Sequence, residues 1–349
     1  MRAWIFHGPG DVRLEEVPIA HPGPGEIKLA IKAAATCGTD LKTYRRGHPT
    51  IPVTPSRFGH EPAGIVTEVG EGVTTFREGD RVVCANTVPC GVCFYCSIDR
   101  ESLCPNLEFL YGAFADELIV PAAITRRNTY HIPDHLSFAA VAPLEPLATV
   151  VHGIDQSGIR LGDTVVVNGA GPIGQMHTRL ATARGAHVIC VDKRAWRLDQ
   201  AAAAGAVETI NIDGIDDVDA IAQRVKAATP DHRGADVAIE AVGLAEVWEQ
   251  TWKVLRPGGI AIMFGGTPAN AMMSLNTSVM HYQEIEIKGI FHHTPRYVRM
   301  AVDMLDSGIV DGQALITELR PLEDLIISLE DMAQGNGSKY ALVPDLVKA

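Results

Sequence analysis

Cys90, Cys93, Cys96 and Cys104 fall within fifteen positions, spaced C-x2-C-x2-C-x7-C. Four thiolates on one short lobe suit a single tetrahedral zinc ion. A site closed by four sulfurs leaves no position for substrate, so its role is structural. A disulfide pair or four unrelated buried thiols are the alternatives. Disulfides suit small secreted domains, whereas this chain has 349 residues. Gly91, Ser97, Asp99, Ser102 and Pro105, lying in or beside the cluster, read as loop.

A second group is Gly169-Ala170-Gly171-Pro172-Ile173-Gly174. G-x-G-x-x-G is weak by itself, but here it follows the apolar run Thr164–Val167 and opens a helix-like segment. Gly169 permits the tight turn, Gly171 lets a pyrophosphate approach the backbone, and Gly174 lets helix pack on strand. The helix start, with Pro172 and Ile173, turns free N–H groups and a partial positive charge toward phosphates. Asp192 ends the next strand, eighteen positions after Gly174. A carboxylate there accepts hydrogen bonds from a ribose diol and repels a 2′-phosphate, so NAD is the expected cofactor. Lys193 and Arg194 pull the other way, toward NADP; the acid at the strand end itself is given more weight.

A third group is Cys37 with Gly59-His60-Glu61-Pro62-Ala63-Gly64. Thiolate, imidazole and carboxylate together are a donor mixture used by zinc sites that keep an open position. Taken singly, Cys37 is as readily a buried thiol and His60 a core histidine.

Elements must hold these groups in place. The N-terminal third reads as strands, at Met1–Phe6, Glu26–Ala33, Ala63–Val69, Arg81–Ala85 and Glu117–Val120, divided by Gly and Pro turns. From about Leu161 the pattern alternates. Strands are expected at Thr164–Asn168, His187–Asp192, Ala235–Glu240 and Ile260–Phe264, with helices through Arg184 and over Ala195–Ala204. That rhythm predicts parallel βαβ units with helices on both faces. After Gly289 a helix over Arg296–Ser307 and a short closing segment rejoin the first domain. The length has room for about two domains. A hydrophobic content of 46% with 21% charged residues is that of a soluble globular protein. The net charge of −12 argues against nucleic acid or anionic membrane as partner. Met1–Phe6 carries no apolar signal-peptide region, and free thiols such as Cys84 and Cys190 fit a reducing compartment, so a cytoplasmic protein is expected.

Taken together, the chain resembles the zinc-dependent medium-chain dehydrogenases, the superfamily of alcohol, sorbitol and threonine dehydrogenases. The motif G-H-E-x2-G-x5-G-x2-V is complete as Gly59, His60, Glu61, Gly64, Gly70 and Val73, followed by Gly79-Asp80-Arg81-Val82. The cysteine lobe and the dinucleotide glycines follow in the family's order. The resemblance implies an α/β protein with a GroES-like β-rich catalytic domain (1–147 and 288–349) and a doubly wound Rossmann domain (148–287), the active site lying in the cleft that joins them. It implies two zinc ions per chain. Cys37 and His60 carry over as catalytic zinc ligands, and Glu61 as an exchangeable third ligand. Glu145, in Pro143-Leu144-Glu145-Pro146, matches the acid that polyol dehydrogenases place beside the metal or its water. Thr39 matches the hydroxyl that hydrogen-bonds the substrate alcohol, and Arg197 the arginine that flanks the adenosine. Lys42 stands where many relatives carry a relay histidine, leaving His48 or water to end the proton path.

The implied reaction moves hydride from a secondary alcohol of a polyol, sugar or cyclitol to NAD, giving a ketone. A threonine-type amino alcohol is the alternative substrate. His292 and His293 either meet that substrate or line the domain junction. A non-catalytic NAD-sensing zinc protein is the rival class, disfavoured because Cys37, His60, Glu61 and Glu145 are all present. Relatives are dimers or tetramers joined through the sheet edge near Glu284–Lys288, and a homotetramer is expected.

Overall fold

The structure is a computed structural model and describes residues 1–48 and 54–346. The chain forms two compact units, residues 1–148 with 293–349, and residues 149–292. The first boundary falls inside the helix Leu144–Ser157.

The first unit is built on Ile27–Ala35, a strand buried along most of its length. It pairs antiparallel with Pro62–Val69, with Glu117–Val120 and with the late strand Tyr340–Val343. Early and late segments of the chain therefore share one sheet. Its core gathers Trp4, Phe58, Phe114, Ile27, Leu29 and Ile31 with Leu322, Leu325 and Leu342 from the far end of the sequence. The closing segment is richer than expected. Besides the helix Pro295–Asp306 it holds the strands Glu318–Pro321 and Tyr340–Val343, paired in parallel, with a helix over Leu325–Gln334 between them. A four-residue strand that begins beside a lysine carries too short an alternation to stand out in the sequence.

The second unit is a six-stranded sheet, all parallel: β1 (Thr164–Asn168), β2 (His187–Asp192), β3 (Glu208–Asn211), β4 (Ala235–Glu240), β5 (Leu255–Met263) and β6 (Glu286–Gly289). The spatial order is 3-2-1-4-5-6, the doubly wound Rossmann arrangement. Every residue of β1 is buried, as a central strand covered by helices on both faces requires. Strand β5 starts five residues before the expected Ile260: Leu255 pairs with Ala235, Arg256-Pro257-Gly258-Gly259 bulges out of the ladder as its turn residues dictate, and regular pairing resumes at Ile260 opposite Val237. The switch point of the sheet lies between β1 and β4, which run side by side and whose connections leave in opposite directions.

The helix after β1, α1 (Pro172–Ala183), buries His177 completely. Its ring stands edge-on to Phe264, centroids 4.6 Å apart, and neither ring nitrogen finds a hydrogen-bond partner among the described residues. Burial lowers its pKa to about 3. The unfolded chain binds a proton near pH 6.5 that the folded chain does not. This group's contribution to stability is therefore complete above pH 6.5 and is lost as pH falls from there toward 3, by on the order of 2 kcal/mol at pH 5. His177→Leu fills similar volume without a titrating group. Between pH 8 and pH 5 its melting temperature should fall by about 4 °C less than that of the wild type. Parallel losses in both proteins would refute the assignment.

Candidate active site and metal centres

Helix Gly38–Arg46 begins where the backbone leaves the strand Ile27–Ala35, and Cys37 is its N-cap residue. Asp40, three positions on, turns back: its Oδ2 accepts the N–H of Cys37 at 2.8 Å, closing a capping box. The other oxygen, Oδ1, lies 3.0 Å from His60 Nδ1. An ionised carboxylate only accepts, so a proton sits on Nδ1, and Nε2 is the nitrogen a metal would take, displacing the proton it carries in the metal-free chain. One buried side chain thus places the thiol and fixes the imidazole tautomer. A carboxylate behind a histidine is the usual outer support of a metal ligand.

Cys37, His60 and Glu61 offer a sulfur, a nitrogen and an oxygen within 4.8 Å of one another. That mixture and spacing fit a zinc ion with an open position. Burial raises the Cys37 thiol, but the hydrogen bond and charge of His60 and the charge of Lys339 outweigh it, so the pKa is lowered and the thiolate favoured. Burial lowers His60, and the charge and hydrogen bond of Asp40 reverse this, holding the imidazole well above its ordinary value.

Glu61 is fully buried, and Lys339 reaches it from the segment before the last strand, Nζ lying 2.8 Å from Oε1 and 2.6 Å from Oε2. The ammonium also donates to the carbonyl of Thr36 at 2.8 Å. Burial pushes the Glu61 carboxyl up, to about 8, against the pull of Lys339. Burial would also lower Lys339, yet its pKa is raised by Glu61 and Cys37. A contact this short, with a second hydrogen bond on the ammonium, favours the ionised pair. Glu61 is thus held beside the thiolate and imidazole by a cation that competes with any metal for its oxygens.

Glu145 stands apart from this trio. It is buried in the first turn of the helix Leu144–Ser157, with its Oε1 3.9 Å from His293 Nε2. His293 Nε2 also lies 3.1 Å from Asn86 Oδ1. Burial raises the Glu145 carboxyl to about 7, with smaller contributions from His60, Glu61 and Lys339, so it feels the trio's field. Thr39 and Lys42 are both half-buried on the helix that Cys37 caps, and His48 follows that helix.

The four lobe cysteines converge. Sulfur separations are 3.5 Å for Cys93–Cys96 and Cys90–Cys104, 3.8 Å for Cys93–Cys104 and 4.0 Å for Cys90–Cys96. A tetrahedron with Zn–S of about 2.3 Å has edges of roughly 3.8 Å, so the set fits zinc. Disulfide sulfurs would lie about 2 Å apart. Cys93→Ser should lower the melting temperature, because a closed thiolate site contributes folding energy. Turnover per folded molecule should stay near wild type. Normal stability with lost turnover would instead move the cluster into the chemistry.

In the second unit the glycine turn is tight where it must be. Gly169 has φ +104°, and a Cβ on Gly174 would lie 1.7 Å from the carbonyl oxygen of Gly169. Gly171 faces open space and is the N-cap of α1, with no side chain capping the first turn. That cradle fits a pyrophosphate. Pro172 and Ile173 form the first turn of α1. Asp192 ends β2 and is pinned by the N–H groups of Ala170 and Arg194, both at 2.8 Å. Arg197 is half-buried, and its Nε has no hydrogen-bond partner among the described residues.

Asp40 and Lys339 join the site without being expected from the motifs. The C-x-x-D spacing of a capping box was a usable signal for Asp40; nothing local marks Lys339, which meets Glu61 only through the pairing of Tyr340–Val343 with Ile27–Ala35.

Residues 23–134 match the alcohol dehydrogenase GroES-like domain, and residues 172–307 match the zinc-binding dehydrogenase family. A sorbitol dehydrogenase of Bacillus subtilis is 33% identical over 96% of this chain and 94% of its own length. That of Mus musculus is also 33% identical, over 98% and 95%. A zinc-binding dehydrogenase from Sinorhizobium meliloti 1021, solved bound to NADP, superposes with a TM-score of 0.89 at 30% identity, over 98% of this chain and 99% of that one. Likeness of sequence and fold over nearly the full length, on a chain that gathers these donor sets, makes the protein a member of the zinc-dependent medium-chain dehydrogenases, in the polyol dehydrogenase branch.

Proposed function

We propose that the protein oxidises a secondary alcohol of a polyol, sugar or cyclitol to the ketone, with NAD as hydride acceptor. The observation that carries this reading is the gathering of Cys37, His60 and Glu61 within 4.8 Å behind the Asp40 carboxylate. The relatives named sorbitol dehydrogenase support the polyol class. A zinc ion on these ligands supplies Lewis acidity toward a hydroxyl, and the nicotinamide supplies the hydride acceptor.

The chain's own residues do the rest. Asp40 keeps the His60 tautomer and the Cys37 position constant. Lys339 holds Glu61 near the donors without neutralising the thiolate. Thr39 takes the hydrogen bond of the substrate hydroxyl and passes its proton outward, toward Lys42, His48 or water. Glu145 adds negative charge that orients a hydroxyl or water. The carbinol loses one proton and one hydride, so the products are a ketone, NADH and a proton.

Asp192 supports NAD over NADP: its carboxylate is fixed by two backbone N–H groups and has acceptor capacity left for a ribose diol. The four-cysteine lobe supports a second, structural zinc. Strand β6 (Glu286–Gly289) ends the sheet among the described residues, an edge that a second copy would cover by pairing, and we take the protein to be a homotetramer joined there. No helix among the described residues is long and apolar enough to cross a membrane, which accords with a cytoplasmic enzyme.

The deciding experiment is a panel of alditols, cyclitols, aldoses and amino alcohols with NAD and with NADP, followed by reduced-cofactor absorbance alongside zinc content. Preference for an amino alcohol would overturn the substrate class, and preference for NADP would overturn the reading of Asp192. One zinc per chain with no turnover would favour the non-catalytic rival.

A further inference from the structure

Glu240 is the last residue of β4, fully buried, and no step of the reaction above uses it. Its Oε1 accepts the N–H groups of Val242 at 2.8 Å and Gly243 at 2.7 Å, both in the loop that leaves β4. Its Oε2 accepts the N–H of Gly265 at 2.9 Å, in the loop that leaves β5. Gly265 is held from its other side as well, since its carbonyl accepts Trp248 Nε1–H at 3.1 Å. Burial raises the carboxyl, and the N–H donors of Gly243, Val242 and Gly265 pull it back. The pKa stays raised on balance, and both oxygens are occupied as acceptors, so the carboxylate is clasped by two loops.

The clasp sits at the switch point of the sheet, where dinucleotides bind outside the carboxyl ends of the strands. Ala241 N–H donates to the carbonyl of Asn168, the end of β1, at 2.9 Å. A Cβ on Gly169 would come within 2.6 Å of Val242 Cγ2 and 3.3 Å of the Ala241 carbonyl oxygen. The β4 loop therefore rests directly on the glycine-rich turn. The two clasped loops have no slack: a Cβ on Gly243 would lie 2.6 Å from the carbonyl oxygen of Gly266, and one on Gly265 2.4 Å from Gly243 N. Val242 and Leu244 leave this floor as exposed apolar side chains, at 42% and 45% of their surface.

Peptide planarity adds a direction. In a trans peptide the N–H and C=O point opposite ways. Three N–H groups drawn onto Glu240 therefore aim the carbonyls of Ala241, Val242 and Phe264 away from it. The Ala241 carbonyl does lie toward Gly169. The carboxylate thus fixes which way the rim of the crevice presents its acceptors.

We infer that Glu240 is a positioning residue for the dinucleotide, a buried carboxylate that clasps the β4 and β5 loops and sets the rim on which the cofactor is held. This rests on the cofactor reading above. Glu240→Gln keeps the size but turns an amide N–H2 toward at least one of the three N–H donors, so one peptide loses its bond to this side chain; for Gly265 only the longer bond to the Glu240 main-chain carbonyl, 3.3 Å, would remain. The measurement is fluorescence titration of NAD+, NADH, NADP+ and NADPH into wild type and variant without alcohol. Alcohol KM, zinc content and melting temperature are followed in parallel.

The expected result is a dissociation constant for the preferred cofactor raised about tenfold, the size of one lost charge-assisted hydrogen bond. Zinc content and alcohol KM should stay unchanged. A lower melting temperature with unchanged cofactor affinity would make Glu240 only a structural group and overturn the proposal. Should the Gln variant fail to fold, Trp248→Phe removes only the Nε1–H bond to Gly265 and should raise the constant about threefold; an unchanged value overturns the proposal there too. A wild type that prefers NADP defeats the reading of Asp192 yet leaves Glu240 tested on NADP. A wild type that binds none of the four defeats both.

Discussion

Cys37→Ser is expected to lose at least about 10³ in turnover while its cofactor affinity stays within twofold of wild type. Lewis-acid stabilisation is worth several kcal/mol, and each 1.36 kcal/mol is tenfold in rate. The thiolate is favoured in this structure because His60 and Lys339 outweigh the cost of burial. A serine hydroxyl stays protonated in the same field and is a poor donor to zinc. The cofactor turn, Gly169 to Gly174, and Asp192 belong to the other unit and do not depend on this residue. Zinc content should fall from two ions per chain to one, the remaining ion being held by Cys90, Cys93, Cys96 and Cys104. Turnover, cofactor titration and metal analysis on one preparation check all three statements. Wild-type turnover with one zinc lost would remove Cys37 from the chemistry.

Much of this arrangement is legible in the sequence, for a physical reason. Features set by short-range geometry leave local marks. The glycine turn needs residues without a Cβ, as the 1.7 Å approach between a Cβ at Gly174 and the Gly169 carbonyl makes plain. Four sulfurs on one lobe need close spacing. Buried parallel strands such as Thr164–Asn168 need unbroken β-branched runs. What stays hidden is set by pairing between distant segments. Lys339 reaches Glu61 only because Tyr340–Val343 lies beside Ile27–Ala35, 278 positions separating the two charges. Asn86 and His293, 207 positions apart, meet with no local signal either. Glu240 looks in the sequence like an ordinary strand-end acid; its three N–H partners come from loops whose approach depends on the parallel pairing of β4 and β5.

Glu145→Gln should lower turnover by about 10²–10³, the usual loss when a charge-assisted contact that strengthens in the transition state is removed. The carboxyl is buried in a helix's first turn, where the helix dipole favours a negative charge. Burial pushes its pKa to about 7, and His293 stands 3.9 Å away. A cation held by Cys37, His60 and Glu61 acts in the opposite sense and draws the carboxyl below 7 in the loaded enzyme. On the role proposed for Glu145 the ionised form is the working one, so wild-type turnover should rise as pH climbs through that pKa and level off above it. Gln keeps the size and a hydrogen-bonding oxygen but cannot ionise, so this limb should be missing from the variant's profile. Zinc should remain at two ions per chain, since Cys37, His60 and Glu61 are untouched. The loss should appear in turnover more than in alcohol KM, because charge that matters only as the hydroxyl proton departs contributes little to ground-state binding. Superimposable pH profiles would reduce Glu145 to a packing residue and weaken the polyol assignment, because the match of this acid to the polyol dehydrogenases is part of what supports it.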